Sequence, residues 1–447
     1  MRIMKGRGSP ATRLVALAVA GMLLAGCSSS PAATGSASGG PAASGAAASQ
    51  AASEPITLGV LVQAGGPGDA VKALAPEYTK LHPNVTIDVT ELPYDNTRER
   101  ALADFTSHKA AYDVVGFDYL WVKEYAKSKF LIPLDDLIAK APDAIKKDDF
   151  FKAYLDYGTI DNKLYGLPWL GAVYMLYYRT DLLAQYGIAV PKTWDEYAAA
   201  AKALQEKTGL FGTTFIGKRD DPLVDEFWTL AWSYGAQIYD GHNATIDSPE
   251  ALAAFKVWAE ALKAAPPDSL AADWPMAAST FSQGKSAMML NFSDTSETIL
   301  GSDSTVADKV GFAAVPAGPT GKITPNLGGW GIGINADSKN QQAAYDFLVW
   351  LTSAATQTEG LAQGGSATRA SVLGDPALQK KYPYFAAALE NFKSAVPFPQ
   401  ATNWVDWEAA MAPPMSEALG GQRSLESGLQ EAQKRLQVEV QKEFPPQ

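Results

Sequence analysis

The sequence has few of the residues on which metal sites, disulfides and nucleic-acid binding depend. Its 447 residues include one Cys and three His, which excludes a disulfide framework and a Cys-rich zinc site. Positive charge is also scarce, because 37 Lys and Arg stand against 48 Asp and Glu, a net charge of −11. A protein that binds nucleic acid needs a basic face. We therefore expect no metal, no cofactor and no nucleic-acid partner.

The sequence also lacks any apolar run of the roughly 18 residues that a permanent transmembrane helix needs. Aromatic residues, by contrast, are abundant: there are 11 Trp, 18 Tyr and 17 Phe in a chain that is 47% apolar. Disordered proteins show the opposite balance, and a chain of this length can bury a large core. At about 150 residues per domain, the length predicts two to three folded units.

The first residues predict export. Residues 1–13 contain four basic residues and no acid, and Leu14–Leu24 is an uninterrupted apolar run. About eleven apolar residues suit the core of a signal peptide and are too few to span a bilayer. The run ends in Leu24-Ala25-Gly26-Cys27, which resembles the bacterial lipobox, in which the thiol is lipidated and the chain is cut just before it. We therefore expect a signal peptide over residues 1–26 and a lipid anchor at Cys27.

The next segment predicts a flexible tether over residues 27–54. Ser28–Ser53 consists almost wholly of Ser, Ala, Gly, Pro and Thr, a composition that cannot bury apolar area. Removal of the signal peptide takes away four positive charges, so the mature charge is 33 − 48 = −15. The expected product is an acidic protein outside the cytoplasm, anchored to the bacterial cell membrane.

From residue 55 onward the hydrophobic pattern alternates between strands and helices. Strands are predicted over 56–62, 85–92 and 112–117, with helices over 69–82 and 96–109 between them. Strands that alternate with helices form a parallel sheet with crossover helices, an α/β architecture. Ligands bind beyond the carboxyl ends of such strands. The first residues to consider are therefore Gln63, Asp95 and Asp118-Tyr119.

Several segments, in a fixed order, resemble those of the family 1 extracellular solute-binding proteins, the carbohydrate receptors of ABC importers. The segments are Phe130-Leu131-Ile132-Pro133-Leu134-Asp135-Asp136, Leu164 to Trp169 with Leu176 to Leu183, Phe281 to Met289, Gly311 to Pro316 with Gly328-Gly329-Trp330-Gly331, Ala343 to Leu351, and Ser366-Ala367-Thr368-Arg369. In the last segment Ala367 replaces the Pro that is usual in the family.

The resemblance implies two α/β lobes joined by crossing strands, with the ligand held in the cleft by hinge closure. On this interpretation lobe 1 comprises residues 55–167 and 317–362, and lobe 2 comprises residues 168–316 and 363–447, which include the C-terminal helices. The implied partners are a carbohydrate or polyol, the permease subunits of an ABC transporter and a cytoplasmic ATPase. We expect a monomer without enzymatic activity.

A carbohydrate ligand requires polar side chains for its hydroxyls and aromatic rings for its C–H faces. Trp330 follows two glycines that allow close backbone approach, so it is the strongest stacking candidate. Arg369 is a candidate for vicinal hydroxyls or for the carboxylate of an acidic sugar. Asp118, Tyr174 and Trp228 also have structural alternatives, as a helix cap, a strand core residue and a helix core residue. The candidate ligand residues are Asp95, Asp118, Tyr119, Trp169, Tyr174, Trp228, Trp274, Asn291, Asp294, Gly329, Trp330 and Arg369.

Three other interpretations remain open from the sequence. A lipid-anchored glycoside hydrolase would need two carboxylates about 5–9.5 Å apart, for instance Asp118 and Asp294. A binding protein for a non-sugar solute and a surface adhesin are the other two. The paired acids Asp220-Asp221 follow a turn context and predict solvated or capping groups rather than ligand contacts.

Overall fold

The computed structural model describes residues 54–445. The predicted signal peptide, the lipidation site Cys27 and the tether up to residue 53 lie outside the described residues. In chain order the strands are β1 Ile56–Gln63, β2 Val85–Leu92, β3 Val114–Asp118, β4 Thr159–Ile160, β5 Lys163–Leu164, β6 Leu167–Arg179, β7 Met288–Phe292, β8 Val310–Ala313 and β9 Leu327–Ile334.

Helices make up most of the remaining described chain, and none of those between residues 54 and 445 has both the length and the apolar character to cross a membrane. They are α1 Gly66–Leu81, α2 Tyr94–Ser107, α3 Val122–Lys127, α4 Asp135–Lys140, α5 Lys152–Tyr157, α6 Thr180–Tyr186, α7 Trp194–Thr208, α8 Asp221–Ala231, α9 Pro249–Leu262, α10 Trp274–Ser282, α11 Ser296–Leu300, α12 Gln341–Leu351, α13 Ala354–Gly360, α14 Ala370–Leu373, α15 Pro376–Lys381, α16 Phe385–Phe392, α17 Trp404–Leu419 and α18 Leu425–Glu443.

The main sheet has the strand order β2-β1-β3-β9-β6-β7, with β8 also paired to β6. β1 pairs in parallel with β2 and with β3, as the alternation of strands and helices predicts. β9 then runs antiparallel to β3. The predicted α/β fold is therefore confirmed, and β9 adds the antiparallel strand that leads toward the other half of the molecule.

Strand β6 joins the two halves because its ends pair with different strands. Residues Leu167–Val173 pair with β9, whereas Tyr174–Tyr178 pair with β7. Its last four residues, Leu176–Arg179, also pair with β8. The hydroxyl of Tyr154 fixes this crossing, since it accepts a hydrogen bond from the Ala172 amide (2.7 Å) and lies 2.9 Å from the Gly328 carbonyl oxygen of β9.

Two hydrophobic cores lie on the two sides of this crossing. In β6 the side chains of Val173 and Met175 belong to the first core, whereas those of Tyr174 and Leu176 belong to the second. The alternation follows from the two-residue period of a strand, whose successive side chains point to opposite faces. The first core includes β1, β3 and β9, and the second includes α7, α8, α9, α17 and α18. The predicted residue boundaries of the lobes stay a prediction.

Candidate functional site

A cleft of about 550 Å³ opens where the two cores meet at β6 and β9, a volume typical of small-molecule sites. The first core contributes the carboxyl ends of β1 and β3 and the beginnings of α1 and α2. The second contributes α8 and the segment around Phe398, whereas α10 and the end of β7 contact both cores. The polar and aromatic lining includes Gln63, Tyr94, Asp118, Tyr157, Asp221, Asp225, Trp274, Asn291, Asp294, Glu297, Asn326, Trp330 and Phe398.

Three aromatic side chains form one wall of the cleft. The ring centroids of Tyr94 and Trp330 are 5.8 Å apart, and those of Tyr94 and Trp274 are 6.2 Å apart. Trp330 also packs edge-on against Trp121 at 5.1 Å, which fixes its ring. The Trp274 indole N–H donates a hydrogen bond to the Tyr174 hydroxyl (3.1 Å), so this ring is fixed as well. Two held indoles and a phenol give apolar surface for stacking.

The position of Trp330 follows from strand register. In the sheet Trp330 lies opposite Asp118 of β3 and opposite Leu170 of β6. The preceding Gly329 has φ = 131°, and a Cβ there would lie 2.5 Å from the Leu170 carbonyl oxygen. Only glycine tolerates this backbone conformation and this approach. The sheet thus places an aromatic ring and a carboxylate side by side at the cleft.

Three carboxylates, Asp118, Asp221 and Asp225, lie close together at the cleft. Asp221 and Asp225 are one turn apart on α8, so their side chains leave the same face of the helix. The Tyr94 hydroxyl donates a hydrogen bond to Asp118 Oδ2 (3.2 Å), and its proximity lowers the pKa of Asp221. Burial raises the pKa of Asp118 to about 8, and the charge of Asp221 adds to this shift. Burial likewise raises the pKa of Asp221 to about 6 and raises the pKa of Asp225 well above its usual range.

Two further side chains hold these carboxylates in place. The carboxyl of Glu408 on α17 is hydrogen-bonded to Asp221 and accepts a hydrogen bond from the Trp404 indole N–H. Burial and the charge of Asp221 raise the pKa of Glu408 well above its usual range, so Glu408 is the proton donor in this pair. Asn326 donates from Nδ2 to Asp225 Oδ1 (2.6 Å).

A second acidic pair, Asp294 and Glu297, lies after β7. Burial raises the pKa of Asp294 to about 6, and burial together with the charge of Asp294 raises the pKa of Glu297 to about 7. Asn291 is fully engaged in shaping this segment. Its Nδ2 donates to the Trp274 carbonyl oxygen (3.1 Å), and its Oδ1 accepts from the Phe292 amide (2.8 Å) and the Thr295 hydroxyl (3.1 Å). Asn291 therefore orients neighbours rather than offering free hydrogen-bonding groups.

The structure brings half of the twelve candidate ligand residues together at the cleft. These are Asp118, Trp274, Asn291, Asp294, Gly329 and Trp330. Trp274 begins helix α10, where the sequence predicts a loop, because Asp273 caps the helix by accepting a hydrogen bond from the Met276 amide (3.1 Å).

The other six candidates do not line the cleft. Asp95 is exposed in the first turn of α2. Tyr119, Tyr174 and Trp228 are at most 1% exposed, and Trp169 packs behind Trp330 with ring centroids 6.4 Å apart. These positions agree with the core alternatives for Tyr174 and Trp228.

Arg369 has a structural role at a distance from the cleft lining. It is 1% exposed and donates to three carbonyl oxygens, those of Thr352 (2.5 Å), Ile145 (2.8 Å) and Lys146 (3.2 Å). It also pairs with Asp149 at 3.3 Å. Its guanidinium therefore ties residues 145–149 to the segments after α12 and α13, and it leaves the cleft without the cation that the sequence suggests.

Sequence reasoning missed Tyr94, Asp221, Asp225, Glu297 and Asn326. The interpretation of Asp221 as a solvated or capping group is corrected, because it is only 6% exposed and lines the cleft. A usable signal exists in the sequence. Asp225 lies within the apolar run Leu223–Leu230 of a predicted helix, and a carboxylate in a buried helix needs a partner or a ligand. Tyr94 directly precedes the candidate Asp95. After the end of β2 it is Tyr94, and not Asp95, that lines the cleft.

A second cavity, of about 560 Å³, adjoins the cleft at Phe398. Its lining includes Trp232, Tyr239 and Lys322, and within the described chain no carboxylate contributes to it. Between residues 54 and 445, moreover, no group of three or more His, Cys, Asp or Glu side chains is arranged to hold a metal ion.

Two lobes that share crossing strands and enclose a cleft with aromatic and hydrogen-bonding side chains define a protein that captures a small solute. The family model of the bacterial extracellular solute-binding proteins matches residues 64–358. A probable ABC transporter-binding protein from Deinococcus radiodurans is 30% identical over 77% of this chain and 83% of its own length. The chain belongs to the family of bacterial extracellular solute-binding proteins.

Solved structures agree with this assignment. The maltose-bound protein MalE3 of T. maritima is 27% identical, with a TM-score of 0.79 over 86% of this chain and 99% of its own. A solute-binding protein from Agrobacterium radiobacter K84, in complex with ribitol, is 25% identical, with a TM-score of 0.80 over 88% of this chain and 99% of its own. The protein is thus the solute-binding component of an ABC transporter and acts outside the cytoplasm. Its family and fold are those of binding proteins, whereas the hydrolase alternative has no support among them.

The buried carboxyls predict that the unliganded protein loses stability as pH rises. Because the pKa of Asp118 is raised from 3.8 to about 8, the folded protein keeps a proton in this interval that the unfolded chain releases. The free energy of unfolding should therefore fall between about pH 5 and pH 8. Asp118→Asn should reduce this loss when urea unfolding is measured at both pH values. The exposed Asp95→Asn is the control and should keep the wild-type pH dependence. Equal pH dependence of Asp118→Asn and wild type would contradict the prediction.

Proposed function

We propose that this protein captures a carbohydrate or polyol in the cleft and delivers it to the permease of its ABC transporter. The observation that carries the proposal is the pairing of the aromatic wall of Tyr94, Trp274 and Trp330 with carboxylates on the facing elements. Sugars and polyols present C–H surfaces and rows of hydroxyl donors. A site for them needs apolar rings and hydrogen-bond acceptors at once.

The acceptors in the cleft support this ligand class. Asn326 Oδ1 is buried and accepts no hydrogen bond from an N–H or hydroxyl donor of the described residues. An unpartnered buried acceptor costs about 1–3 kcal/mol, and a ligand hydroxyl removes that cost. Two structurally similar proteins were solved with maltose and with ribitol, a sugar and a polyol. Both ligands match the chemistry of this cleft.

Capture by this cleft can be tested with a thermal-shift screen of the purified protein without its signal peptide. The panel contains sugars, polyols, amino acids and short peptides, because the last two classes are the non-sugar alternatives. A ligand present at one hundred times its Kd adds about 2.7 kcal/mol to the stability of the folded state. We expect a clear rise in Tm with at least one polyhydroxylated compound, which is recovered unchanged. A rise confined to amino acids or peptides, or turnover of the ligand, would refute the proposal.

The aromatic wall gives a sharper test of where the ligand binds. Trp274→Ala should weaken binding of the ligand found in the screen by at least about tenfold, equivalent to about 1.4 kcal/mol, because it removes a stacking surface. Trp274 is half-buried, so its removal should leave the fold intact. Trp232→Ala is the matched control, since Trp232 is also half-buried but lines the second cavity. Calorimetric titration should show near-wild-type affinity for Trp232→Ala. If Trp232→Ala weakens binding more than Trp274→Ala does, the ligand binds in the second cavity instead.

We further propose that the protein is a monomer held at the membrane by a lipid on Cys27, after removal of residues 1–26. The sequence of the N-terminal segment supports this, since the only Cys of the chain ends a basic and then apolar leader. Cys27→Ala should abolish incorporation of labelled lipid and release the protein from the membrane fraction. Cys27→Ala protein that still carries labelled lipid would show that the anchor is elsewhere.

A further inference from the structure

The cleft contains many more acidic groups than basic groups. Of the residues within 54–445 that line it, six are Asp or Glu and none is Lys, Arg or His. Arg369, the cation that the sequence suggests, is engaged elsewhere. Lys218 lowers the pKa of Asp221, but it has the smallest effect of the groups named as acting on that carboxyl. It does not line the cleft. The cleft lining within residues 54–445 therefore offers no basic side chain to balance these carboxyls when they ionise.

The charge is concentrated at the first turns of α8. Asp221 and Asp225 leave the same face of this helix, and both are close enough to Asp118 for the charges to interact. Glu408 can donate a hydrogen bond to Asp221 only while it keeps its own proton. Buried like charges repel one another strongly because the local dielectric is low. A partner with positive charge would remove this repulsion.

The unpartnered atoms beside these carboxylates are acceptors. Asn326 is 1% exposed, and its Oδ1 lacks an N–H or hydroxyl donor among the described residues. Asn326 is oriented by its Nδ2 bond to Asp225 (2.6 Å), so its Oδ1 is the atom left for the ligand. The Tyr157 hydroxyl, 4% exposed, also lacks a partner and lines the cleft. A neutral hydroxyl supplies one donor and no charge, whereas an ammonium group supplies three donors and a positive charge.

We propose that the cleft is selective for a polyhydroxylated ligand that carries a positively charged amino group, and that this group binds between Asp118, Asp221 and Asp225. The inference rests on the proposed function and narrows its ligand class to amino sugars and amino polyols. The aromatic wall covers the carbon skeleton of the ligand. Tyr94 belongs to this wall and also donates a hydrogen bond to Asp118. Anionic sugars are rejected because the cleft has no cation to receive a carboxylate.

Matched probes separate charge from shape. Glucamine, glucitol and gluconate share one six-carbon polyol chain and are cationic, neutral and anionic at about pH 7. Glucosamine, glucose and glucuronate form the corresponding ring series. Calorimetric titration in at least one series should show the amine binding at least about tenfold more tightly than the neutral compound, with no detectable binding of the anion. Titrations in Tris and in phosphate should also show that the amine releases protons from the cleft, because pairing with a cation favours the ionised carboxylates.

Two variants test the placement of the amino group. Asp225→Asn should reduce the advantage of the amine over the neutral compound to less than about threefold. Asp220→Asn should keep the advantage, because Asp220 precedes Asp221 on the chain but does not line the cleft. Circular dichroism verifies folding, and Asp221→Asn replaces Asp225→Asn if the latter is unfolded.

The results distinguish failure of the inference from failure of the proposed function. Equal or weaker binding of the amines, or binding of a neutral sugar alone, overturns the inference and leaves the proposed function intact. An unchanged amine preference in the folded carboxylate variants overturns the assigned position. Selective binding of a solute without hydroxyl groups overturns both.

Discussion

The cleft depends on one constraint, the passage of strand β6 through both halves of the molecule. Its first seven residues pair with β9, and its last six pair with β7 and β8. Leu170 lies beside Trp330, and Met175, five residues along, lies beside Asn291. At about 3.3 Å per residue, Leu170 and Met175 are about 16 Å apart along one continuous strand, so β6 fixes where Trp330 and Asn291 lie relative to one another. The pairing of β6 with both strands is therefore enough to make the side chains of the two halves face one another across the cleft.

The same strand explains why small residues surround the crossing. A Cβ at Gly171 would lie 2.3 Å from the Ala367 carbonyl oxygen, and one at Gly328 would lie 2.4 Å from the Phe292 ring. Backbone segments from both halves approach one another here more closely than side chains allow. The Tyr154 hydroxyl then bonds the amide of Ala172 in β6 and lies at the Gly328 carbonyl of β9. The crossing is thus held by the backbone, and the side chains around it are free to serve the ligand.

Much of the fold follows from the sequence, because it rests on local patterns. The predicted strand over 85–92 coincides with β2, and the predicted helix over 69–82 overlaps most of α1. The site is only partly predictable. Strand ends lead correctly to Gln63 and Asp118, since topology fixes where parallel strands end. Asp221 and Asn326 were missed because they reach the cleft through the packing of α8 and of the residue before β9. This packing depends on contacts between distant segments, which local sequence patterns do not show.

Arg369 and Asp225 show why residue type alone misleads. An arginine in a family segment suggests a ligand contact, yet Arg369 is surrounded by carbonyl oxygens that need a buried donor. An aspartate within an apolar helix suggests a structural pair, yet Asp225 has one amide partner and two acidic neighbours. Arg369 lowers the free energy of the folded protein, whereas Asp225 raises it. Destabilising groups of this kind persist where a ligand removes the cost. Asp118, Asp221 and Asp225 are thus the groups whose mutual repulsion the proposed cationic ligand would remove.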